Sequence, residues 1–167
     1  MNLKGVDTYD MLNEPAKMNI KVVDTYDMLK NSRNRIVLAN GVFDVLHIGH
    51  IEHLKQARAM GDKLVVGLTV DKMVNKGPGR PFNKWNDRAA MLRELRCVDE
   101  VVSAYGGVHA IRMVRPYCFV KGIDYADGRV WTEEVVKVCD ELGVIITFTT
   151  TPKRSSSEII RLTMAHP

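Results

Sequence analysis

Cysteine is scarce: there are three in 167 residues, at 97, 118 and 139, and no Cys-x-x-Cys pair. An odd number of distant cysteines argues against a disulfide framework. Cys118 lies in the apolar run YCFV, so buried thiols in a reducing compartment are expected. Long hydrophobic runs are lacking too. None approaches the roughly 20 residues of a membrane span, and no charged-then-apolar leader precedes a cleavage site. The expected location is therefore the cytoplasm, with no membrane partner. There is no low-complexity tract and no large excess of one charge. The net charge of +4 is spread along the chain; it suits anionic small substrates and makes no case for nucleic acid. What remains is an ordinary globular composition, 46% hydrophobic and 26% charged, at a length that fits one domain with a real core.

The N-terminus repeats itself. MNLKGVDTYDML at 1–12 recurs as MNIKVVDTYDML at 18–29, differing only at Leu3/Ile20 and Gly5/Val22. Two copies cannot build a solenoid, which takes at least about three stacked units. Both begin with Met-Asn, so a duplicated start is the simplest reading. Residues 1–21 are expected to form a tail, of which the first 17 or so are dispensable, and 22–167 the domain.

From residue 34 strand and helix signals alternate. RIVLAN (35–40), KLVVGLTV (63–70), DEVVSA (99–104), YCFVKG (117–122) and VIITFT (144–149) read as short, nearly all-apolar strands. Helices are expected near 48–60, with Gly61 as the C-terminal glycine, and near 87–96, with Ala90, Met91 and Leu95 on one face. Others are expected near 107–114, near 131–142 and after Ser155. Such alternation predicts a Rossmann-like three-layer α/β/α domain around a parallel sheet of about five strands. In sheets of that kind ligands bind at the carboxyl ends of the strands. The loop GVFDVLHIGH (41–50) leaves the first strand at that end.

His47, His50 and His53 recur every third residue through this loop and the helix after it. Metal is one reading. At 100° per residue His47 and His53 lie nearly opposite, so three ligands from one helix make poor geometry. Pairs remain feasible, but no nearby cysteine or acidic cluster completes a site. Phosphate is the better reading. Gly49 lets a bulky anion approach the backbone, the first helical turn presents amides to it, and imidazoles add donors from the side. Such an arrangement holds a triphosphate and stabilises charge developing on a phosphoryl group. His53 then falls on the helix surface.

Gly41-Val42-Phe43-Asp44 followed by His47-Ile-Gly49-His50 resembles the signature of the HxGH nucleotidyltransferase superfamily, the cytidylyltransferase-like proteins. Three more segments follow in family order: GRPFN with Arg88 after the second strand, VKGIDY (120–125) after the fourth, and RSSSEII (154–160) at the last helix. The resemblance covers about residues 22–165 and is strongest to the nucleotidyltransferase domain of ADP-heptose synthases. Glycerol-3-phosphate and ethanolamine-phosphate cytidylyltransferases are also similar. It implies an enzyme that moves NMP from an NTP, with ATP favoured, to a small phosphorylated sugar such as heptose 1-phosphate. Magnesium would accompany the triphosphate, and a homodimer is implied although the residues define no interface. A CDP-alcohol synthase acting on glycerol 3-phosphate, and a non-catalytic nucleotide- or zinc-binding module, are the alternatives.

The remaining candidates each carry a plainer reading. Ser155–Glu158 is a capping box, yet Lys153 and Arg154 put positive charge beside it; the resemblance gives Ser155, Ser156 and Ser157 to the phosphates, with the last two on β and γ. Lys76 and Arg80 flank a Gly/Pro loop and read as solvated cations, like Lys72 and Lys84. The resemblance sends Lys76 to phosphate and Arg80 to substrate. Arg88 stands near a helix start, against the dipole preference, which points to an anionic partner. Lys121 and Gly122 form a turn whose resemblance, with Asp124 and Tyr125, is to a segment beside the base and ribose. Asp44 is expected to orient the loop or a histidine, and Trp131 is either core or a substrate wall. KMVNK (72–76) mimics the lysine loop of aminoacyl-tRNA synthetases, but that loop comes far later in those chains and before an anticodon-binding region.

Overall fold

The structure, a computed structural model, describes residues 34–123 and 132–151. Five strands, β1 (Ile36–Gly41), β2 (Lys63–Thr69), β3 (Glu100–Ala104), β4 (Cys118–Gly122) and β5 (Ile145–Thr149), form one parallel sheet in the order β3-β2-β1-β4-β5. Four helices separate them: α1 (Ile48–Arg58), α2 (Trp85–Arg93), α3 (Gly107–Val114) and α4 (Glu133–Leu142). A short 3-10 turn, Asp71–Met73, follows β2. The duplicated segment, Asp124, Tyr125, Trp131 and Ser155–Ser157 lie outside the described residues.

The alternation of side chains along each strand sorts the core into two layers. Val37, Leu64, Val66, Leu68 and Val120 pack with Leu54, Ala57, Ala89 and Leu92 of α1 and α2. Leu38, Val65 and Phe119 face the other way, onto Ala110 and Ile111 of α3 and Val135, Val138 and Cys139 of α4. Strands covered on both faces are largely apolar, which is why β1, β2 and β4 read as near-continuous hydrophobic runs, whereas the edge strand β3 carries exposed Glu100 and Ser103. Each such side chain contributes about 1.5–3 kcal/mol on full burial. The result is the expected three-layer α/β/α domain.

Two local readings change. Helix α1 ends at Ala59 in ordinary right-handed backbone, and Gly61 supplies close approach where a left-handed cap was expected: a Cβ there would stand 2.6 Å from Val37 Cγ2 and 2.7 Å from the Arg35 carbonyl. Helix α2 buries Arg88, Ala89 and Leu92, with Ala90 exposed and Met91 and Leu95 half-buried. The predicted face is rotated because a buried cation sits on the inner one. Cys118 and Cys139 are buried free thiols, and burial pushes each up to about 12.

The winding reverses at β1. The chain runs outward from β1 through β2 to β3, then crosses to β4 and β5 on the far side. The carboxyl ends of β1 and β4 therefore diverge into a crevice, the place where sheets of this kind bind ligands. Gly41 closes β1 at that edge, and Lys121 and Gly122 close β4.

Candidate active site

Beyond Gly41 the chain makes a tight loop into α1. Phe43 adopts a left-handed conformation, φ 47°, unusual for an aromatic residue and a form of strain that persists only where the surroundings demand it. The Phe43 ring folds back over Gly41, where a Cβ would meet its Cε2 at 2.9 Å, so any larger residue at 41 would push the ring aside. The same ring meets His50 edge-on, with centroids 5.1 Å apart.

His47 is the N-cap of α1, in extended backbone, and its side chain caps nothing; the first turn carries no acid. Gly49 is buried in that turn. His47 and His50 stack, with ring centroids 3.8 Å apart and planes 19° from parallel. Nδ1 of His50 is buried with no hydrogen-bond partner. Burial first, then the neighbouring charges of His47, Lys76 and His53, push His50 down to about 3. Beside His47 the His50 ring stays neutral, one N–H on the ring, until an anion offsets a second proton. The helix start, its dipole and the buried nitrogen all favour such an anion.

Lys76 belongs to this cluster electrostatically. Crowding around its ammonium, and the Arg80 guanidinium beside it, push Lys76 below the ordinary lysine value. Arg80 in turn is ion-paired through Nε to Asp44. Lys121 is half-buried, where solvent exposure would be its plain expectation, and donates from Nζ to the Asn40 carbonyl at 2.7 Å, bracing β4 against β1 beside the crevice.

Two expected ligand-facing residues turn inward. Asp44, expected among the nucleotide-binding residues, is fully buried; its carboxylate accepts from the Phe82 and Asn83 amides, each at 2.8 Å, and from Arg80. Burial pushes this carboxyl up, but the two amides and Arg80 outweigh it and hold it below its ordinary value. Asp44 is the anchor of the 77–83 loop. Arg88, expected to meet phosphate, is also fully buried. Its Nε donates to the Asn83 carbonyl at 3.0 Å, one Nη to the Val42 carbonyl, and the other to the Thr69 carbonyl and the Asp71 carboxylate at 2.9 and 2.6 Å. The anionic partner that its position demanded is Asp71, inside the protein. Arg88 thus ties the histidine loop, the end of β2 and the Gly/Pro loop together.

Sequence reasoning also missed residues. His53 is not a bystander on the helix surface: its Nδ1 lies 2.8 Å from Thr149 Oγ1 at the end of β5. Thr69 Oγ1 donates to the Gly41 carbonyl at 3.1 Å, and Asn40 Nδ2 to the Gly67 carbonyl at 2.7 Å. The only signal for these was position, since polar residues at the carboxyl ends of apolar strands face the ligand edge.

A parallel α/β sheet with a histidine-capped helix at its switch point defines a phosphate-binding domain of the nucleotide-handling kind. The cytidylyltransferase-like family profile matches residues 38–162. The chain belongs to that family. It is 45% identical over 107 residues, 62% of its length, to the bifunctional protein HldE of Pseudomonas fluorescens, and 43% identical over 109 residues to that of Pseudomonas putida. In both cases it spans only 23% of the relative. Among solved structures it resembles a lipopolysaccharide core biosynthesis protein of Thermoplasma volcanium, at a TM-score of 0.61 and 31% identity, over 71% of this chain and 98% of that one.

Proposed function

We propose that this chain transfers NMP from an NTP, ATP in preference, to the phosphate of a small phosphorylated sugar such as heptose 1-phosphate, releasing pyrophosphate in the cytoplasm. The observation that carries the reading is the stacked His47–His50 pair at the N-terminus of α1, inside the β1–β4 crevice. The acceptor class is supported by the VKGIDY segment and by the solved neighbour named for lipopolysaccharide core biosynthesis.

The attacking phosphate oxygen forms a bond to the α-phosphorus as the bond to the β-phosphate oxygen breaks, and the electron pair leaves with pyrophosphate. That oxygen is already anionic at neutral pH, so the step needs no general base. Catalysis reduces to alignment and to donors aimed at the developing charge. His47 and His50 would supply those donors beside the α1 amides. Lys76 would neutralise phosphate charge, and Arg80, oriented by Asp44, would meet the substrate. Gly41, Val42, Phe43 and Gly49 shape the backbone around the nucleotide, and Lys121, Gly122, Asp124 and Tyr125 would flank base and ribose. Ser155, Ser156 and Ser157 would hold the pyrophosphate end. Asp44 and Arg88 position these groups without touching the ligand.

Among the described residues no group of three or more histidines, cysteines or acids gathers to cage a metal, and the Asp44 carboxylate is committed to its three donors. Magnesium is expected to arrive on the triphosphate, where it would offset phosphate charge. The test is a pyrophosphate-release screen of ATP, CTP and GTP against heptose 1-phosphate, glycerol 3-phosphate and phosphoethanolamine. ATP with heptose 1-phosphate is expected to turn over fastest. CTP with glycerol 3-phosphate as the best pair would overturn the assigned base and acceptor. Tight nucleotide binding with no pyrophosphate from any pair would overturn transfer itself.

A further inference from the structure

A chain of hydrogen bonds crosses the carboxyl edge of the sheet behind the histidine pair. Thr149 is buried at the end of β5, and its hydroxyl lies 2.8 Å from His53 Nδ1 and a long 3.5 Å from the Lys121 carbonyl, which accepts from it when His53 Nδ1 is the donor. Lys121 donates onward to the Asn40 carbonyl of β1 at 2.7 Å. One turn further along α1, Gln56 Oε1 accepts from the Thr150 amide at 2.9 Å. The helix that begins with His47 and His50 is thus clamped at its second turn to the ends of β5 and β4.

We propose that His53 and Thr149 are positioning residues that hold the phosphate-binding start of α1 in register with the β4–β5 edge. This rests on the function proposed above, in which the triphosphate lies at the α1 start and base and ribose lie beyond β4. A nucleotide bound at both places is sensitive to the distance between them, and His53–Thr149 is a side-chain bond that spans α1 and β5. Nothing on the helix surface alone explains a half-buried histidine bonded to a buried threonine 96 positions away.

The test uses the full chain and four variants: His53→Phe, Thr149→Val, the pair together, and Thr149→Ser. ATP affinity is measured by calorimetry, KM and kcat by pyrophosphate release, and folding by thermal melts. Each single loss of the bond is expected to weaken ATP binding and raise KM about tenfold, with kcat within about threefold. The double variant should be no worse than either single one, and Thr149→Ser should return binding to within about twofold of the wild type. If a ring or methyl at these positions prevents folding, His53→Asn, which keeps a donor near the place of Nδ1, is expected to bind ATP like the wild type. Folded single variants with unchanged ATP affinity overturn the proposal alone. So do losses that multiply in the double variant, or a His53→Asn protein that binds as weakly as His53→Phe. A wild type that binds no nucleotide overturns this proposal together with the function on which it rests.

Discussion

A neutral imidazole at a polyanion site is a donor held in reserve. His50 is pushed down to about 3, so it carries no charge near neutrality until an anion arrives. An arriving triphosphate favours the charged form, and nucleotide binding should take up protons. The same shift makes a stability prediction. Between about 3 and the ordinary value of 6.5 the unfolded chain holds a proton on this residue that the folded chain does not. Stability contributed by His50 is therefore lost as pH falls from about 6.5 toward 3. Urea midpoints measured from pH 7 to 4.5 should fall more steeply for the wild type than for His50→Gln; equal slopes would contradict the burial argument. For catalysis, His50→Ala should lose about 2–4 kcal/mol of transition-state stabilisation, roughly thirty- to a thousandfold in kcat, with its circular dichroism unchanged. Near-normal turnover would remove His50 from the mechanism.

At the scale of elements, the site is assembled by loops that a single buried arginine holds together. Arg88 joins the carbonyls of Val42, Thr69 and Asn83 to the Asp71 carboxylate. Arg88→Met keeps much of the volume but strands those acceptors. Asp71 is 35% exposed and finds water, but each carbonyl left without its donor costs about 1–3 kcal/mol, and chemical denaturation should read a loss of several kcal/mol. A variant as stable as the wild type would show that solvent replaces the guanidinium. Gly61→Ala tests a backbone approach. The added methyl must displace Val37 and the Arg35 carbonyl at the start of β1, so a loss of about 1–3 kcal/mol is expected in the thermal unfolding midpoint. Both positions show where reading by pattern stops. The α2 face was read from its apolar residues, yet a charged residue defines it, and Gly61 was read as a cap although its neighbours lie on β1. The Gly61 contacts span 24 and 26 residues and the Arg88 bonds span 5 to 46, and helical periodicity carries no information about them.

At the scale of the whole molecule, the doubly covered sheet is self-contained across the described residues, and the duplicated N-terminal segment precedes it. A chain starting at Met18 is expected to keep pyrophosphate release and solubility. Loss of either would make residues 1–17 part of the working protein. No helix among the described residues is long and apolar enough to cross a membrane. The five strands, their parallel sheet and the two helical layers were legible, because strands covered on both faces are largely apolar, whereas the order β3-β2-β1-β4-β5 came only from the tertiary structure. GVFDVLHIGH marked the candidate site from local pattern alone, since a helix start open to an anion is built from neighbours in the chain. Which side chains face the ligand was a different matter. Asp44 and Arg88 look like ligand groups in the sequence but point inward, where burial forces each to find an opposite charge. His53 looks like surface and is bonded across 96 positions to Thr149. Local pattern determined the fold and the place of the site, whereas only the packing of distant loops decided which charges were consumed in building it and which remained for the substrate.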